Sequence, residues 1–254
     1  MALGIKEWLR GLSFKEIICS LTVFLSLALF LALTLWSNHK VNGLIDQQAA
    51  ARWDEDGGSA QVSCFFAEHT EVDEYTILSY EKTLEQSLKE VLPADEVGEE
   101  GGKRLFIDAY SSLGSITVVS EKGKLEADAV GIGGDFFLFH PLRLVSGRYF
   151  SGSDLMQDFI ILDEDAAWQL FGSNDIAGKS VMIGNIPHYV AGVVKKQEGK
   201  FAENAGLKKT VVYVSNESLS AYGESDGISV YEVFSPYTVK SFLYNILIEK
   251  YLPD

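Results

Sequence analysis

From Ile17 to Trp36 the chain runs through twenty consecutive residues without a charged side chain. At about 1.5 Å of rise per residue, such a helix covers roughly 30 Å, the thickness of a bilayer's hydrocarbon core. The remainder of the chain is polar enough to be a soluble body, so the sequence describes a globular domain tethered by one N-terminal helix. A cleaved signal peptide is the rival reading, but its apolar core runs about 7–15 residues and ends at a small-x-small site. Here the run is longer and leaves through Leu35-Trp36-Ser37-Asn38-His39-Lys40, without such a site. Trp36 also suits the membrane–water interface. Lys6, Arg10 and Lys15 precede the helix and only Lys40 and Arg52 come closely after it. The positive-inside rule therefore places residues 1–16 in the cytoplasm and those from about 37 onward outside.

Roughly 218 residues after the helix suffice for one large domain or two small ones. The net charge of -15 argues against nucleic acid or anionic headgroups as partners, because both require basic patches. Acid concentrates early: residues 54–100 hold fourteen Asp or Glu and only Lys82 and Lys89. That segment reads as a solvated, repulsive face, or as a surface for a basic partner or divalent cations. No EF-hand spacing supports the cation version. Cys19 lies in the apolar helix and Cys64 in the external body, so the two form no disulfide framework, and Cys64 is expected as a small buried thiol.

Ile5, Trp8, Leu9 and Leu12 keep helical spacing, giving an amphipathic helix on the cytoplasmic face or simply the positive flank of the anchor. Residues 40–53 favour helix and read as the membrane helix continuing into a stalk, broken near Asp56-Gly57-Gly58-Ser59. Gln61 to Ala67 is expected as a strand. Ile77, Tyr80, Leu84 and Leu88 are spaced three or four apart, predicting a helix over 72–92 that ends at Pro93, with a loop after it over 94–102. Strands are expected over 105–107, 116–119 and 125–130, with a turn at Gly131-Ile132-Gly133-Gly134 and a short helix over 135–139. Further strands are expected over 159–162, 181–183, 189–195, 210–215 and 228–234. A helix over 163–171 carries acid at its start and Gly172 past its end. A loop over 197–207 and a last helix over 237–251 complete an α+β body, with a strand-rich inserted subdomain over about 140–215.

No motif for chemistry emerges. Gly131-Ile132-Gly133-Gly134-Asp135-Phe136 lacks the third glycine of a dinucleotide fingerprint, and there is neither a P-loop nor a G-x-S-x-G elbow. His39, His69, His140 and His188 show no metal-ligand spacing. Asp154, Asp158, Asp163, Glu164 and Asp165 have ordinary turn or helix-start uses, and Asn216-Glu217-Ser218 matches a glycosylation pattern by chance. No catalytic residue, cofactor or metal site is expected.

The run from Val130 to Val194 resembles the extracytoplasmic core domain of MacB-type ABC transporter permeases, a family that includes LolC-like export permeases. The matching pieces are Val130-Gly131, Asp135-Phe136-Phe137, Leu144-Val145-Ser146-Gly147-Arg148-Tyr149-Phe150 with Asp154, and Ile160-Ile161-Leu162. They continue through Ala166 to Gly172, including Leu170-Phe171, then Ile176-Ala177-Gly178-Lys179-Ser180-Val181, and Tyr189 to Val194 with Gly192. Positions 131, 147, 148, 154, 170, 171, 172, 178, 179 and 192 read as scaffold residues, with glycines at strand or helix edges and Arg148 paired to Asp154 across a turn. The resemblance implies a MacB-core-like fold over residues 37–254, behind a membrane helix at 17–36.

It also implies a non-catalytic, single-pass component of the cell membrane, serving an ABC-type export or mechanotransmission system. Its partners would be an ABC ATPase subunit and a separate multi-span permease, in a homo- or hetero-oligomer. A tethered binding or sensory module built on the same fold is the alternative. Permeases of this family re-enter the membrane after the domain and contact their ATPase through a cytoplasmic loop. Residues 244–252 are short and carry Glu249 and Lys250. The expectation is therefore a split permease, an accessory protein or a truncated product that neither translocates substrate nor receives the ATPase stroke by itself.

Overall fold

The computed structural model describes residues 14–53, 59–67, 70–91, 104–152, 154–196, 210–235 and 241–251. The amphipathic reading of residues 1–13 and the loops expected over 94–102 and 197–207 lie outside them. The chain divides into two units, Met1–Leu44 and Ile45–Asp254.

The first unit holds α1, Phe14–Asn42, within which Ile17–Val41 is long and apolar enough to cross a membrane. Leu21, Phe24, Phe30 and Leu35 are all exposed along it. Its hydroxyls are turned back on the helix: Ser26 Oγ donates to Val23 O at 2.8 Å and Thr34 Oγ1 to Phe30 O at 2.8 Å. A hydroxyl facing hydrocarbon has no water to bond, so this back-bonding satisfies it. Lys40 Nζ sits 5.9 Å from the Trp36 ring centroid. The helix runs past the expected Trp36 boundary to Asn42. It then stops, because the Gly43 and Leu44 N–H groups turn to the carbonyls of Lys40 and Val41, at 3.1 and 2.9 Å. The stalk expected over 40–53 is therefore interrupted, and helix resumes as a 3-10 turn, Ile45–Gln48, and α2, Ala49–Trp53.

The second unit is built on a nine-stranded mixed sheet. Its elements are β1 (Ala60–Phe65), α3 (Glu74–Val91), β2 (Ile107–Val119), β3 (Lys124–Gly134), α4 (Phe136–Phe139), β4 (Leu144–Gly147), β5 (Phe159–Asp163), α5 (Glu164–Phe171), β6 (Ser180–Ile183), β7 (Ile186–Val194), β8 (Val211–Ser215), α6 (Asn216–Tyr222), β9 (Glu224–Ser235) and α7 (Phe242–Tyr251). The strand order is β1-β9-β2-β3-β8-β5-β7-β4, with β6 paired to β7 and touching β2 at Val119↔Met182. The β3–β8 and β5–β7 pairs are parallel and the others antiparallel.

Side chains alternate across each strand, so both sheet faces are apolar and both are covered. One face carries Ile107, Ala109, Val130, Ile132, Tyr213 and Phe234, packed with Ala49 and Ala50 of α2 and with Phe136 and Phe139 of α4. The other carries two clusters. Ile116, Ala129, Ile160, Val212 and Val214 pack with Ala166, Ala167 and Leu170 of α5 and Leu219 of α6. Tyr231 and Val233 pack with Ile77, Leu84 and Leu88 of α3 and Leu243, Ile246 and Leu247 of α7. The spacing that predicts α3 is the face it buries. At its start Asp73 Oδ1 accepts from Thr76 Oγ1 at 2.7 Å and from Thr76 N at 2.9 Å, a cap whose bonds draw the carboxyl below its ordinary value.

Three local readings differ from expectation, the first being that the separate strands expected over 105–107 and 116–119 are one, β2, Ile107–Val119. Gly131 to Gly134 form the end of β3 rather than a turn. These residues are small because neighbours are close: a Cβ on Gly133 would lie 2.0 Å from the Tyr110 ring, and one on Gly131 would lie 2.4 Å from Ser112 Oγ. Asn216–Tyr222 is a helix, capped by Ser215 Oγ, which accepts from Ser218 N at 3.1 Å. The Asn216 side chain is buried and engaged, accepting from Ser112 Oγ and donating to Glu74 Oε1 at 2.9 Å.

Candidate functional site at the segment after the membrane helix

Residues 45–53, which follow α1 in sequence, are fastened to the sheet and to α4 by two sets of hydrogen bonds to the backbone, by the packing of Trp53 and by a third, ionic set. Gln61 of β1 accepts from the Ala49 and Ala50 N–H groups, at 2.9 and 3.5 Å, and its amide donates to Asp46 O at 2.8 Å. A short helix leaves its first N–H groups without partners of its own, and the Gln61 amide supplies them. Arg52 donates to the carbonyls of Ile45, Leu138 (2.7 Å) and Phe139 (3.1 Å), so one guanidinium gathers the start of the segment and the end of α4. The Trp53 ring packs 5.9 Å from Phe234.

The third set is ionic. His140, just past α4, bonds through Nε2 to Glu232 Oε2, while its Nδ1 lies 3.3 Å from Asp46 Oδ1. Glu232 is only 3% exposed, in the middle of β9, and its second oxygen accepts from Ser63 Oγ at 2.9 Å. The Phe136 ring stacks on the imidazole at 4.5 Å. Burial alone would pull the His140 pKa down, but hydrogen bonds to Asp46 and Glu232 and their charges outweigh it, lifting the group from 6.5 to about 9. His140 is thus an imidazolium at neutral pH. With both nitrogens engaged by carboxylates, it has no lone pair to act as a base. The arrangement serves to hold: it ties Asp46, on the segment after the membrane helix, to Glu232 in the sheet. Among the described residues, no group of three or more His, Cys, Asp or Glu could hold a metal ion.

The residues singled out by resemblance lie elsewhere, mostly around β7. Gly147, Gly172 and Gly178 have φ of 76°, 72° and 83°. Gly172 closes α5, its N–H bonding Trp168 O at 2.8 Å, and Gly178 N–H bonds Val190 O at 2.7 Å. Gly192 lies where a Cβ would meet Arg148 O at 2.8 Å, and Gly131 faces Ser112 on the neighbouring strand. Leu170 is buried; Phe171 accepts at its carbonyl from Lys122 Nζ, and Lys179 Nζ sits 5.6 Å from its ring. The expected Arg148–Asp154 ion pair does not form. Arg148 lies over the Phe159 ring at 5.5 Å, while Asp154 turns inward to accept from Ser151 N at 3.0 Å, closing its own turn. None of these residues bonds to the His140 cluster. Sequence reasoning missed Asp46, Gln61, Ser63, His140 and Glu232. The available signal was Glu232, a carboxylate inside the otherwise apolar run from Val230 to Phe234.

Residues 17–244 match the MacB-like periplasmic core domain family. The chain belongs to that family. Among curated relatives, the macrolide export ATP-binding/permease protein MacB of Rhodopseudomonas palustris (strain HaA2) is 31% identical over 117 residues, 43% of this chain and 18% of the relative. MacB of Chromobacterium violaceum is 30% identical over 83 residues, 32% of this chain and 13% of the relative. The chain thus spans less than a fifth of the length of these relatives. Among solved structures, the periplasmic region of MacB from Actinobacillus actinomycetemcomitans aligns at 21% identity and a TM-score of 0.42, covering 58% of this chain and 69% of that one. The extracellular domain of the noncanonic ABC-type transporter YknZ from Gram-positive bacteria aligns at 20% and 0.38, covering 65% and 75%. The matched region of the chain takes in most of the described residues, including an N-terminal helix long and apolar enough to cross a membrane.

Proposed function

We propose that this chain is a membrane-anchored, non-catalytic component of an ABC-type export or mechanotransmission system, and that movement of α1 reaches the external domain through the His140 junction. The observation that carries this reading is the fastening of residues 45–53 to the sheet through Gln61, Arg52 and the Asp46–His140–Glu232 cluster. A flexible tether would dissipate a displacement, whereas a segment pinned by Gln61, Arg52 and Trp53, with exposed Asp46 at the edge of the His140–Glu232 pair, moves with the sheet. In this reading residues 1–16 are cytoplasmic, 17–36 cross the membrane and 37–254 lie outside, with 140–215 as a strand-rich part of the external domain. The glycines at 131, 147, 172, 178 and 192, with Arg148, Asp154, Leu170, Phe171 and Lys179, keep that domain's shape. Its partners are an ABC ATPase and a separate multi-span permease.

Gentle purification of the full chain from its own membranes tests this. Recovery with an ABC ATPase and a multi-span permease is expected; recovery alone overturns the transport reading in favour of a tethered sensory module. Orientation is tested by Leu155→Cys at a fully exposed position. A membrane-impermeant maleimide should label it in intact cells (with the outer membrane permeabilised, if present), and labelling only after inner-membrane lysis defeats the topology.

A further inference from the structure

His188 of β7 is 1% exposed, and both nitrogens of its ring are engaged. Nδ1 donates to Ile186 O at 3.1 Å, since a carbonyl can only accept, and Nε2 meets the Ser218 hydroxyl at 3.0 Å. Ser218 Oγ also lies 2.9 Å from both Gln157 O and Ser215 Oγ, so its one hydrogen is already claimed. Gln157 spends its amide hydrogens on Gly152 O and Asp154 O. These residues line a cavity of about 190 Å³ together with Asp158, Glu217 and Tyr222. Asp158 Oδ1 is buried and has no hydrogen-bond partner among the described residues. Gln157, His188 and Ser218 have no donor to spare for it, and no Lys or Arg lines the cavity. Native folds leave very few buried acceptors in this condition, because an unmatched one costs its full desolvation. A single water takes about 10–15 Å³, so the cavity admits a ligand of several atoms.

We propose that this cavity binds a small ligand bearing a primary ammonium group, whose N–H groups supply the donor that Asp158 lacks while Glu217 adds a second negative charge. The surroundings select a cation over a neutral donor. Glu217 also lines a wider groove of about 690 Å³, whose lining includes Glu71, Asp73, Glu74 and Asp226 and no Lys or Arg. The field over both cavities is therefore negative, which draws cations in and repels anions. The donor set does not suit a metal ion, since His188 is already bonded at both nitrogens and only two carboxylates remain. An ammonium needs no more than those two, because it brings three hydrogens of its own. Ile186 and the Tyr222 ring, edge-on to His188 at 6.3 Å, give a carbon stem an apolar wall. The site stands whether or not the chain works with an ATPase, since it rests on contacts within the domain alone.

Titration of the full chain in detergent with butylammonium chloride tests the site, read on the carbon-13 Cε1 signal of His188, which is identified by its loss in His188→Gln. A saturable shift with a midpoint of about 10 mM is expected for so small a ligand. Tetramethylammonium carries the charge but no N–H, and should leave the signal in place at the same concentration. Asp158→Asn keeps the shape and removes the charge, and should weaken butylammonium binding by about tenfold or more. The same variant should melt higher than the unaltered chain without ligand, since a carboxylate lacking a donor has been removed. No saturable shift up to about 100 mM butylammonium, an equal shift with tetramethylammonium, or an unchanged midpoint in a folded Asp158→Asn chain overturns the proposal. Should Asp158→Asn not fold, the comparison of the two cations on the unaltered chain decides by itself.

Discussion

Tyr231 and Glu232 are neighbours on β9, yet they point to opposite faces of the sheet and into two different solutions to one problem. Glu232 keeps a buried charge by holding a cation, the His140 imidazolium, with Ser63 satisfying its other oxygen. Tyr231 donates to Asp108, a carboxyl with no cation bonded to it among the described residues, which burial pushes above its ordinary pKa. A charge taken out of water must be matched or neutralised, because its desolvation costs several kcal/mol. Matching ties the junction to a partner across the fold, whereas the Asp108 carboxyl meets burial with a raised pKa.

The largest test of that contrast is His140→Ala. It strands the Glu232 carboxylate in the interior and should cost about 3–5 kcal/mol in chemical denaturation at pH 7. Adding Glu232→Gln should recover part of the loss, since the stranded charge is then gone. If the double variant is no more stable than His140→Ala, Glu232 is held by something other than charge matching. The pH response comes next. The folded His140 pKa of about 9 exceeds the ordinary 6.5, so its stabilisation is complete below 6.5 and disappears as pH rises through 9. A decline of up to about 3 kcal/mol is expected across that window, and it should be absent in His140→Ala. Burial holds the Glu81 carboxyl at about 7 rather than 4.5, so its contribution is lost as pH rises over that lower window, and Glu81→Gln should flatten the melting-temperature profile there and leave the upper part intact. A variant that alters both windows together would show the two groups to be linked. Ser63→Ala removes a single bond to Glu232 and should cost about 1 kcal/mol. Asp46→Asn should be the mildest, under about 1 kcal/mol, because its side chain is 59% exposed and solvent screens it.

Much of the fold is legible without the structure where the signal is local. The run from Ile17 to Trp36 announces α1 by lacking charge, and the spacing of Ile77, Leu84 and Leu88 announces α3. Asp163 and Gly172 mark the ends of α5: Asp163 Oδ1 accepts from Ala166 N at 2.7 Å, and Gly172 takes the left-handed conformation. Asp163 also shows where local reading stops, for its other oxygen accepts from Val211 N at 2.8 Å, and nothing near residue 163 foretells that. Gly131 to Gly134 look like a turn because glycine favours turns. They are strand because Ser112 and Tyr110, on the neighbouring strand, leave no room for a side chain. The short helix Asn216–Tyr222 offers too few residues for a periodic pattern. Arg148 and Asp154 are near in sequence and opposite in charge, but Phe159 and the Ser151 turn claim them separately.

The long apolar helix, most of the strands and helices, and membership of the MacB-like family were determined by the sequence itself, because each rests on composition, period or spacing along the chain; β4 and the helix Asn216–Tyr222 were not. The ionic junction and the Tyr231–Asp108 bond were decided only by tertiary structure. His140 and Glu232, Asp46 and Gln61, and Tyr231 and Asp108 are far apart or unremarkable in sequence, and they meet only where the sheet folds β1, β2 and β9 side by side.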